Sequence, residues 1–318
     1  MQKKNVLVTG GAGFIGSNLV EALLQDDRVS LVRVLDNLST GFKSNLSAFE
    51  KNEKFEFVEG DICDVETCRK AMINIDLISH QAALGSVPRS INDPITTNLV
   101  NIGGTLNVFT VAQQMGIERL VYAASSSTYG DSPELPKKEG NEGNPLSPYA
   151  VTKLVNEIYA DVFSKVYNFH SIGLRYFNIF GPKQNPNGAY AAVIPLFINC
   201  VLNDESAQIN GDGETSRDFT FVSNAVFANI QALFKEGIEQ NEVCNIACGD
   251  RTTLNELWEG LNAIAGKNIL ANYQEERRGD VKHSLADISK AKDYLGYNVN
   301  TTIKEGLKIA FDWYKNNN

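Results

Sequence analysis

Two residues that can move a proton stand four positions apart in the segment 147–153, which reads Ser-Pro-Tyr-Ala-Val-Thr-Lys. Ser147 is a typical helix N-cap and Pro148 a typical first helical residue, so a helix is predicted to begin here. On that helix Tyr149 and Lys153 share a face. A cation near a tyrosine favours the phenolate, which can accept a proton from a substrate hydroxyl. The alternative is a tyrosine and a lysine on a surface helix without chemistry.

A glycine-rich turn at residues 10–16 follows the apolar run 6–8. Glycines at 11, 13 and 16, between a predicted strand and a predicted helix, are typical of dinucleotide binding, because they let the backbone approach a pyrophosphate. The helix N-terminus then offers free N–H groups to the phosphates. An ordinary strand-to-helix turn is the alternative. The residues of this turn predicted to contact the dinucleotide are Gly10, Gly13, Phe14, Ile15 and Gly16.

An acidic residue ends the second predicted strand. Asp36 stands 20 residues beyond Gly16, where a carboxylate binds ribose hydroxyls and repels a 2′-phosphate, so NAD is favoured over NADP. A turn-capping role beside Asn37, which is also expected at the cofactor, is the alternative. Asp61 and Ile62 follow the third predicted strand and are expected at the adenine. For Asp61 a helix N-cap is an equally good interpretation.

Hydroxyl side chains follow the fifth predicted strand, from Ser125 to Thr128. Ligands of parallel sheets lie at the carboxyl ends of the strands, so one of these hydroxyls is expected at the substrate. A serine there can relay a proton between a substrate oxygen and Tyr149, whose phenolate a positively charged nicotinamide would also favour. A polar turn is the alternative for any single serine of the group.

Apolar runs alternate with amphipathic stretches through the first half of the chain. Strands are predicted at 6–8, 31–35, 55–58, 77–78, 120–123 and 172–174, and helices at 14–25, 64–73, 95–115 and 148–167. This alternation predicts an α/β fold with a doubly wound parallel (Rossmann) sheet. The apolar stripe on the helix that carries Tyr149 and Lys153 is expected to face the core, with those two residues off it. That stripe consists of Val151, Leu154, Val155, Ile158 and Val162.

The pattern changes after Arg175. Residues 181–192 are predicted to form a loop, and helices are predicted at 195–202, 224–235, 254–265 and through Ile303 to Tyr314. We therefore expect an NAD-binding domain at 1–180 and a smaller, mixed α/β substrate-binding domain at 181–318. The run 243–246 is a candidate to return to the main sheet as an extra strand.

Composition bounds the classes of function. The 318 residues carry a net charge of −9 and a pI of about 5.0, which argues against nucleic-acid binding. The five cysteines are odd in number and lack the His/Cys spacing of a zinc site, so no metal is expected. Free thiols fit a reducing compartment. No apolar run approaches the roughly 18 residues of a membrane span, and a cytoplasmic protein is expected.

Taken together, these residues resemble the extended branch of the short-chain dehydrogenase/reductases, the NAD-dependent nucleotide-sugar epimerases and dehydratases. Within this family the chain is most similar to the UDP-N-acetylglucosamine 4-epimerases, and the resemblance covers nearly the whole chain. Besides the motifs above, it rests on segments 81–83, 174–178, 216–219 and 277–280. The further cofactor contacts that it implies are Gln81, Ala82, Ala83, Tyr149, Lys153 and Tyr176.

The resemblance implies a UDP-sugar substrate and an epimerase mechanism. Bound NAD would take a hydride from C4 while Tyr149 takes the 4-hydroxyl proton, with Ser125 bridging and Lys153 in support. The 4-keto sugar would then turn over, and return of the hydride would invert C4 without net redox change. The substrate contacts that it implies are Ser86, Ser125, Ser126, Tyr149, Asn178, Val193, Arg217, Arg277, Asp280 and Ser284. Arginine forks among them suit diphosphate oxygens.

Two departures narrow the reaction. The related dehydratases carry Asp-Glu after the catalytic hydroxyl, whereas Ser126 and Ser127 stand here, which argues for epimerisation. Ser284 stands where hexose epimerases can have a bulky tyrosine, and a small side chain leaves room for an N-acetyl group. The alternatives are a UDP-glucose or UDP-glucuronate 4-epimerase and, in another class, an inactive NAD-binding protein.

The family also forms homodimers through two helices per subunit, here 95–115 and 148–167, with Val100, Leu106, Val162 and Val166 as candidate contacts.

Overall fold

The computed structural model describes residues 2–187, 191–276 and 282–317 of the chain. Its strands are β1 (Lys4–Thr9), β2 (Val29–Asp36), β3 (Phe55–Glu59), β4 (Leu77–His80), β5 (Arg119–Ser125), β6 (Ser171–Tyr176), β7 (Ile179–Phe180), β8 (Gln208–Asn210), β9 (Ser216–Arg217), β10 (Thr220–Phe221), β11 (Glu242–Ile246), β12 (Thr252–Thr253) and β13 (Asn272–Gln274). Its helices are α1 (Phe14–Gln25), α2 (Val65–Ala71), α3 (Val87–Asn92), α4 (Pro94–Asn98), α5 (Thr105–Gln114), α6 (Pro148–Tyr167), α7 (Val193–Leu202), α8 (Val222–Leu233), α9 (Leu254–Ala265), α10 (Ser289–Leu295) and α11 (Ile303–Asn317).

A parallel sheet forms the centre of the fold. Within the described ranges it has seven strands in the order β11-β6-β5-β4-β1-β2-β3. Thr9 pairs with both Leu35 and His80, and Ser125 pairs with Tyr176, so the carboxyl ends of these strands meet at one edge. The doubly wound parallel sheet predicted from the sequence is confirmed.

Both faces of this sheet are buried. On β1, Leu7 belongs to the core beneath α5 and α6, whereas Val6 and Val8 belong to the core beneath α1 and α8. Successive strand residues point to opposite faces, so a continuous apolar run is what a sheet covered on both sides requires. This is why the predicted strands could be recognised as short apolar runs without alternation.

Most predicted helices form where the sequence placed them. Those at 14–25, 148–167 and 254–265 have the predicted bounds and are α1, α6 and α9. The helix predicted at 64–73 is shorter than expected and corresponds to α2. The helix predicted at 95–115 is divided into α4, a π-helical turn at Leu99–Gly104, and α5. Apolar periodicity could not show this division, because the three pieces run on continuously. None of the described helices is long and apolar enough to cross a membrane.

The face of α6 that is buried differs from the predicted one. Val151, Ile158 and Val162 are 45%, 53% and 43% exposed, whereas Lys153 and Glu157 are buried. The prediction that the apolar stripe of this helix faces the core is therefore wrong. The charged side chains Lys153 and Glu157 of α6 bond to groups of the sheet, and the apolar side chains of this helix therefore lie on its outer face.

Residues beyond 180 complete the same core. β11 extends the central sheet beside β6, as the run 243–246 suggested. The core beneath α1 and α8 continues through Phe197 of α7, Trp258 of α9 and Tyr314 of α11. The short pairs β8–β13 and β9–β12 lie outside the central sheet. The division at residue 180 stays a prediction.

Candidate active site

A cavity of about 540 Å³ opens at the carboxyl edge of the sheet. The strand ends and the loops that follow them form its walls, as expected for a ligand site in a parallel sheet. All the predicted cofactor contacts line it: Gly10, Gly13, Phe14, Ile15, Gly16, Asp36, Asn37, Asp61, Ile62, Gln81, Ala82, Ala83, Tyr149, Lys153 and Tyr176. The predicted substrate contacts Ser86, Ser125 and Asn178 line it as well. Folding therefore brings together groups from seven separate segments.

The glycine turn has no room for side chains. A Cβ on Gly16 would lie 2.2 Å from the carbonyl oxygen of Gly10, and a Cβ on Gly10 would lie 2.6 Å from the nitrogen of Ala82. Gly10 also has a φ of +70°, which glycine adopts readily. No side chain caps the N-terminus of α1, whose N-cap is Gly13. The turn thus leaves free N–H groups beside an open cradle, which fits the pyrophosphate of a dinucleotide.

Asp36 braces this turn from the end of β2. Its carboxylate accepts N–H bonds from Ala12 (2.9 Å) and Leu38 (2.8 Å), and burial raises its pKa. The Asn37 amide donates to the Asp61 carboxylate at 2.8 Å. The alternative of Asp61 as a helix N-cap is wrong, because Asp64 caps α2 through the N–H of Glu66.

The start of α6 places the tyrosine at the cavity. Ser147 caps the helix by accepting the N–H of Ala150 (3.1 Å), and Pro148 occupies the first turn, as predicted. The N–H of Tyr149 donates to the Ser90 hydroxyl of α3 at 3.0 Å, which anchors this turn against a neighbouring helix. The nitrogen of Lys153 donates to the carbonyl of Ala123 at 2.7 Å.

The side chains of Tyr149, Ser125 and Lys153 lie close together. Burial raises the pKa of Tyr149, and a hydrogen bond with Ser125 lowers it. The Lys153 nitrogen lies 6.0 Å from the centre of the Tyr149 ring, and burial lowers the pKa of this lysine to about 8. The phenolate favoured by the sequence stays a prediction, since it depends on the nicotinamide charge as well as on Lys153.

The hydroxyl run after β5 contributes mainly through its first member. Ser125 accepts bonds from the N–H (3.1 Å) and the hydroxyl (2.9 Å) of Ser127, which orient its oxygen. Ser126 lines neither this cavity nor the one beside it. The serine that the structure places at the tyrosine is therefore Ser125.

A second cavity of about 290 Å³ adjoins the first, because Asn178 and Ile179 line both. Val193 and Arg217, predicted to contact substrate, lie in its wall. The Arg217 guanidinium donates to the carbonyl of Ser216 at 3.0 Å. Cavities with a few polar groups in apolar walls are typical of small-molecule sites. The remaining wall is formed by Phe180, Ala192, Ile194, Phe197, Gln208, Asn210, Thr215, Phe219 and Leu254.

Ser284, another predicted substrate contact, lies outside both cavities. It is half-buried and donates its N–H to the Ser216 carbonyl at 3.1 Å. Arg277 and Asp280 lie outside the described residues. The backbone of Ser284 is therefore bonded to the residue that precedes Arg217, which lines the second cavity.

Several cavity residues were not foreseen, among them Leu84, Gly85 and Val100. Ser86, which was predicted, lines the larger cavity at the N-cap of α3 with a φ of 113°, a conformation that is strained for serine. The loop before it is held by Asn101, whose amide accepts from the N–H of Leu84 (2.7 Å) and donates to its carbonyl (3.1 Å). Asn101 belongs to the π-helical turn, an irregularity common at functional sites that apolar periodicity does not show.

The parallel sheet, the glycine turn and Tyr149 beside Ser125 at one cavity are the features expected of a dinucleotide-binding enzyme that acts on a substrate hydroxyl. The sequence pattern of the NAD dependent epimerase/dehydratase family matches residues 6–247, and the chain belongs to this family.

Individual relatives agree with this assignment. A putative UDP-glucose 4-epimerase of Methanocaldococcus jannaschii is 38% identical over 98% of this chain and 99% of its own. The structure of a UDP-N-acetylglucosamine 4-epimerase from Methanobrevibacter ruminantium, in complex with UDP-N-acetylmuramic acid, superposes with a TM-score of 0.94 at 39% identity, covering 100% of both chains. A UDP-glucuronic acid 4-epimerase from Bacillus cereus, in complex with UDP-glucuronic acid and NAD, gives 0.91 at 30% identity, covering 99% of this chain and 100% of its own. The resemblance seen in the sequence is confirmed, and the cofactor is NAD.

Proposed function

We propose that the chain is an NAD-dependent UDP-sugar 4-epimerase that interconverts UDP-N-acetylglucosamine and UDP-N-acetylgalactosamine. The observation that carries the proposal is the arrangement of the two cavities. Tyr149 and Ser125 line the same cavity as the glycine turn, and this cavity adjoins, at Asn178, the one that contains Arg217. A cofactor and a nucleotide sugar bound in the two cavities would meet at the tyrosine.

The protein's part in the reaction is proton transfer and orientation. When bound, NAD supplies a reversible hydride acceptor for C4 of the sugar. Tyr149 takes the proton of the 4-hydroxyl, and Ser125 bridges the substrate oxygen and the phenol. The positive charge of Lys153 stabilises the phenolate. After the 4-keto sugar has presented its other face, the hydride returns to C4 while Tyr149 gives the proton back to the oxygen, and C4 is inverted.

The second cavity suits the UDP part of the substrate. The guanidinium of Arg217 can donate two parallel hydrogen bonds to diphosphate oxygens, and the amide of Asn178 lies between this cavity and the sugar end. Apolar walls at Phe197 and Phe219 suit the uracil ring. Arg277 and Asp280 are proposed to contribute to the same site.

Epimerisation fits the residues better than dehydration does. A dehydratase needs an acid close to the catalytic serine to eliminate water, and the two positions after Ser125 are the serines Ser126 and Ser127. Both hydroxyls lack the acidity for that step. A 4-keto sugar formed at Tyr149 would therefore be reduced again and not eliminated.

The N-acetyl preference rests on Ser284. Its backbone bonds to Ser216, next to Arg217 of the second cavity, so residue 284 lies near the proposed path of the nucleotide sugar. A serine there takes less space than the tyrosine of hexose epimerases. The 39% identity to the Methanobrevibacter ruminantium UDP-N-acetylglucosamine 4-epimerase supports the same preference.

UDP-glucose and UDP-glucuronate are the alternative substrates. Among the described residues that line the larger cavity, Lys153 is the only cation, and its nitrogen already donates to Ala123. A uronate carboxylate would need a further cation at the sugar, which disfavours UDP-glucuronate. UDP-glucose lacks only the N-acetyl group and therefore remains the nearer alternative.

The test is to incubate the purified protein with UDP-N-acetylglucosamine and to resolve the products by NMR. We expect a mixture with UDP-N-acetylgalactosamine and no net NADH. Conversion of UDP-glucose alone would keep the mechanism and overturn the role given to Ser284. Conversion of UDP-glucuronate alone would overturn the substrate class. An NAD-loaded protein that converts no UDP-sugar would favour an inactive NAD-binding protein.

We also propose a homodimer, built through an apolar face on α3, α4 and α6. Ile91 of α3, Ile95 of α4 and Leu99 of the π-helical turn are 60%, 82% and 58% exposed. Helices α3 and α4 pack beside α6, whose exposed side chains include Ile158 and Val162. So large an exposed apolar surface is unusual on a monomer, and its occupant is proposed to be a second copy of the chain.

The free thiols of the described cysteines support a reducing, cytoplasmic location.

A further inference from the structure

Behind the catalytic lysine lies a buried cluster of charged side chains. Arg175 of β6 donates to both carboxylate oxygens of Glu157 on α6, from Nε at 2.9 Å and from Nη2 at 2.6 Å. Its third nitrogen, Nη1, donates to Glu142 in the segment before α6. Arg175 and Glu157 are 4% and 8% exposed. Such a cluster is costly to bury, so its position needs a reason.

The cluster continues to the active site through α6. Glu157 follows Lys153 by four residues, so the two side chains lie one turn apart on the same buried face of the helix. The Lys153 nitrogen donates to Ala123 of β5, and Ala123 pairs with Leu174, the neighbour of Arg175 on β6. Ammonium, carboxylate and guanidinium therefore lie in sequence along one surface of the sheet.

Charge balance gives Glu157 a second partner. The guanidinium of Arg175 faces two carboxylates, Glu142 and Glu157, so those three groups together carry one net negative charge. Lys153 is the cation beside them that balances it. One carboxylate would be enough to neutralise Arg175 if the ion pair served only folding. The second carboxylate adds a negative charge that can neutralise the buried ammonium of Lys153.

We propose that Glu157 is a positioning residue that keeps Lys153 protonated and directed toward Tyr149, and that Arg175 keeps Glu157 ionised for this purpose. The proposal deepens the proposed function, since it rests on the role given there to Lys153. Burial alone favours the neutral amine, and a nearby carboxylate opposes this. Glu157 is the group that raises the pKa of Lys153 against the effect of burial.

The other titratable groups around Lys153 do not supply this negative charge. His80 is buried on β4 with a pKa lowered to about 3, so it is neutral at physiological pH. Burial raises the pKa of both Tyr122 and Tyr129, so these phenols are uncharged. The remaining groups are the phenol of Tyr149 on the same helix and Arg175 with its partner Glu142.

The test is a titration of Lys153 itself, in protein labelled with ¹³C at the lysine ε-carbons. The Lys153 signal is assigned as the one that disappears in Lys153→Met. We expect a midpoint near pH 8 in the wild-type protein. In Glu157→Gln we expect the midpoint to fall by about one pH unit or more, because an opposite charge one turn away is lost. An unchanged midpoint in folded Glu157→Gln would overturn the proposal.

Two further variants separate charge from structure. Glu157→Asp keeps the carboxylate and should retain most of the wild-type midpoint. Glu56→Gln, on β3, removes a carboxylate from another arginine pair, formed with Arg33 of β2 at 2.8 Å, and should leave the Lys153 midpoint unchanged. An equal fall in Glu56→Gln would show a general effect of charge and would also contradict the proposal.

If Glu157→Gln does not fold, the same titration is made on the triple variant Glu142→Gln, Glu157→Gln and Arg175→Met. Replacing all three charged members of the cluster leaves none of them unpaired, and the fall in the Lys153 midpoint should persist. In turnover, loss of Glu157 should move the alkaline limb of the pH profile to lower pH, because Lys153 must be protonated. The titration needs no substrate, so its result stands whichever UDP-sugar the enzyme converts.

Discussion

At the scale of single residues, Tyr149 is the group proposed to transfer the proton. Tyr149→Phe removes the hydroxyl and leaves the ring, so fold and NAD binding should be kept. Turnover should fall by about 100-fold or more, the usual contribution of a positioned acid–base group. The measurement is conversion of UDP-N-acetylglucosamine followed by NMR. Tyr167→Phe, on the exposed end of α6, is the control and should convert substrate at the wild-type rate. Near-normal turnover of Tyr149→Phe would remove this residue from the mechanism.

Ser284 tests the substrate preference. Ser284→Tyr should suppress kcat/KM for N-acetylated substrates more than for UDP-glucose, by about tenfold or more, because the larger ring fills the space proposed for the N-acetyl group. Ser284→Ala is the matched control and should leave the ratio of the two kcat/KM values unchanged. Equal losses on both substrates in Ser284→Tyr would mean that residue 284 does not select the group at C2.

His80 makes the stability of the fold depend on pH. Its ring bonds to the hydroxyls of Thr9 (2.7 Å) and Thr105 (2.9 Å), and burial lowers its pKa to about 3. An unfolded histidine titrates near 6.5, so between these values the unfolded chain binds the additional proton. The contribution of His80 is therefore fully present above about pH 6.5 and is lost as the pH falls toward 3.

His80→Asn should remove this dependence. In the wild-type protein His80 should add about 1.4 kcal/mol per pH unit to the slope of unfolding free energy between pH 4 and 6. The measurement is urea unfolding at several pH values, followed by circular dichroism. An equal slope in both proteins would contradict the assignment. Thr9 and Thr105 come from distant segments, so the burial of His80 between them is decided by the tertiary structure.

At the scale of elements, the strand-to-helix turn between β1 and α1 is expected to determine cofactor binding. Gly16→Ala would place a Cβ 2.2 Å from the Gly10 carbonyl oxygen, so the turn must open. We expect NAD affinity to fall by about tenfold or more, the equivalent of a small overpacking penalty. Titration of NAD binding by calorimetry measures this.

A second helical glycine provides the control. A Cβ on Gly260 of α9 would meet only Leu307, at 3.9 Å, which is ordinary contact. Gly260→Ala should therefore leave NAD affinity unchanged, and it should stabilise the helix slightly because alanine is the better helix former. Equal affinity of Gly16→Ala and wild type would show that the turn does not hold the pyrophosphate.

At the scale of the whole molecule, the apolar face on α3, α4 and α6 should set the oligomeric state. Val162→Glu introduces a charge at the centre of that face and should shift the protein from dimer to monomer. Sedimentation velocity measures the change. Ile309→Glu, an equally exposed apolar position on α11, should leave the dimer intact. A monomeric wild-type protein, or a dimer unaffected by Val162→Glu, would contradict the proposed interface.

Some properties of this protein follow from the order of its residues alone. The apolar runs of the central strands predict a covered parallel sheet, because only residues buried on both faces can be continuously apolar. The glycine spacing at 10–16, Asp36 at a strand end and the capped start of α6 predict the cofactor site for local reasons: tight turns, short-range hydrogen bonds and helix capping. These signals act within a few residues, so they can be recognised without knowing the fold.

Other properties were decided by contacts between distant segments. Which face of α6 is buried depended on Arg175 and Ala123, from strands that the periodicity of the helix cannot reveal. The π-helical turn before α5 and the second cavity likewise depend on contacts between separate segments, such as the side chain of Asn101 with the backbone of Leu84. The hydrophobic pattern of a helix indicates that its two faces differ in polarity. Which face lies inside depends on the free energy of the partners that it meets, and those partners come together only in the tertiary structure.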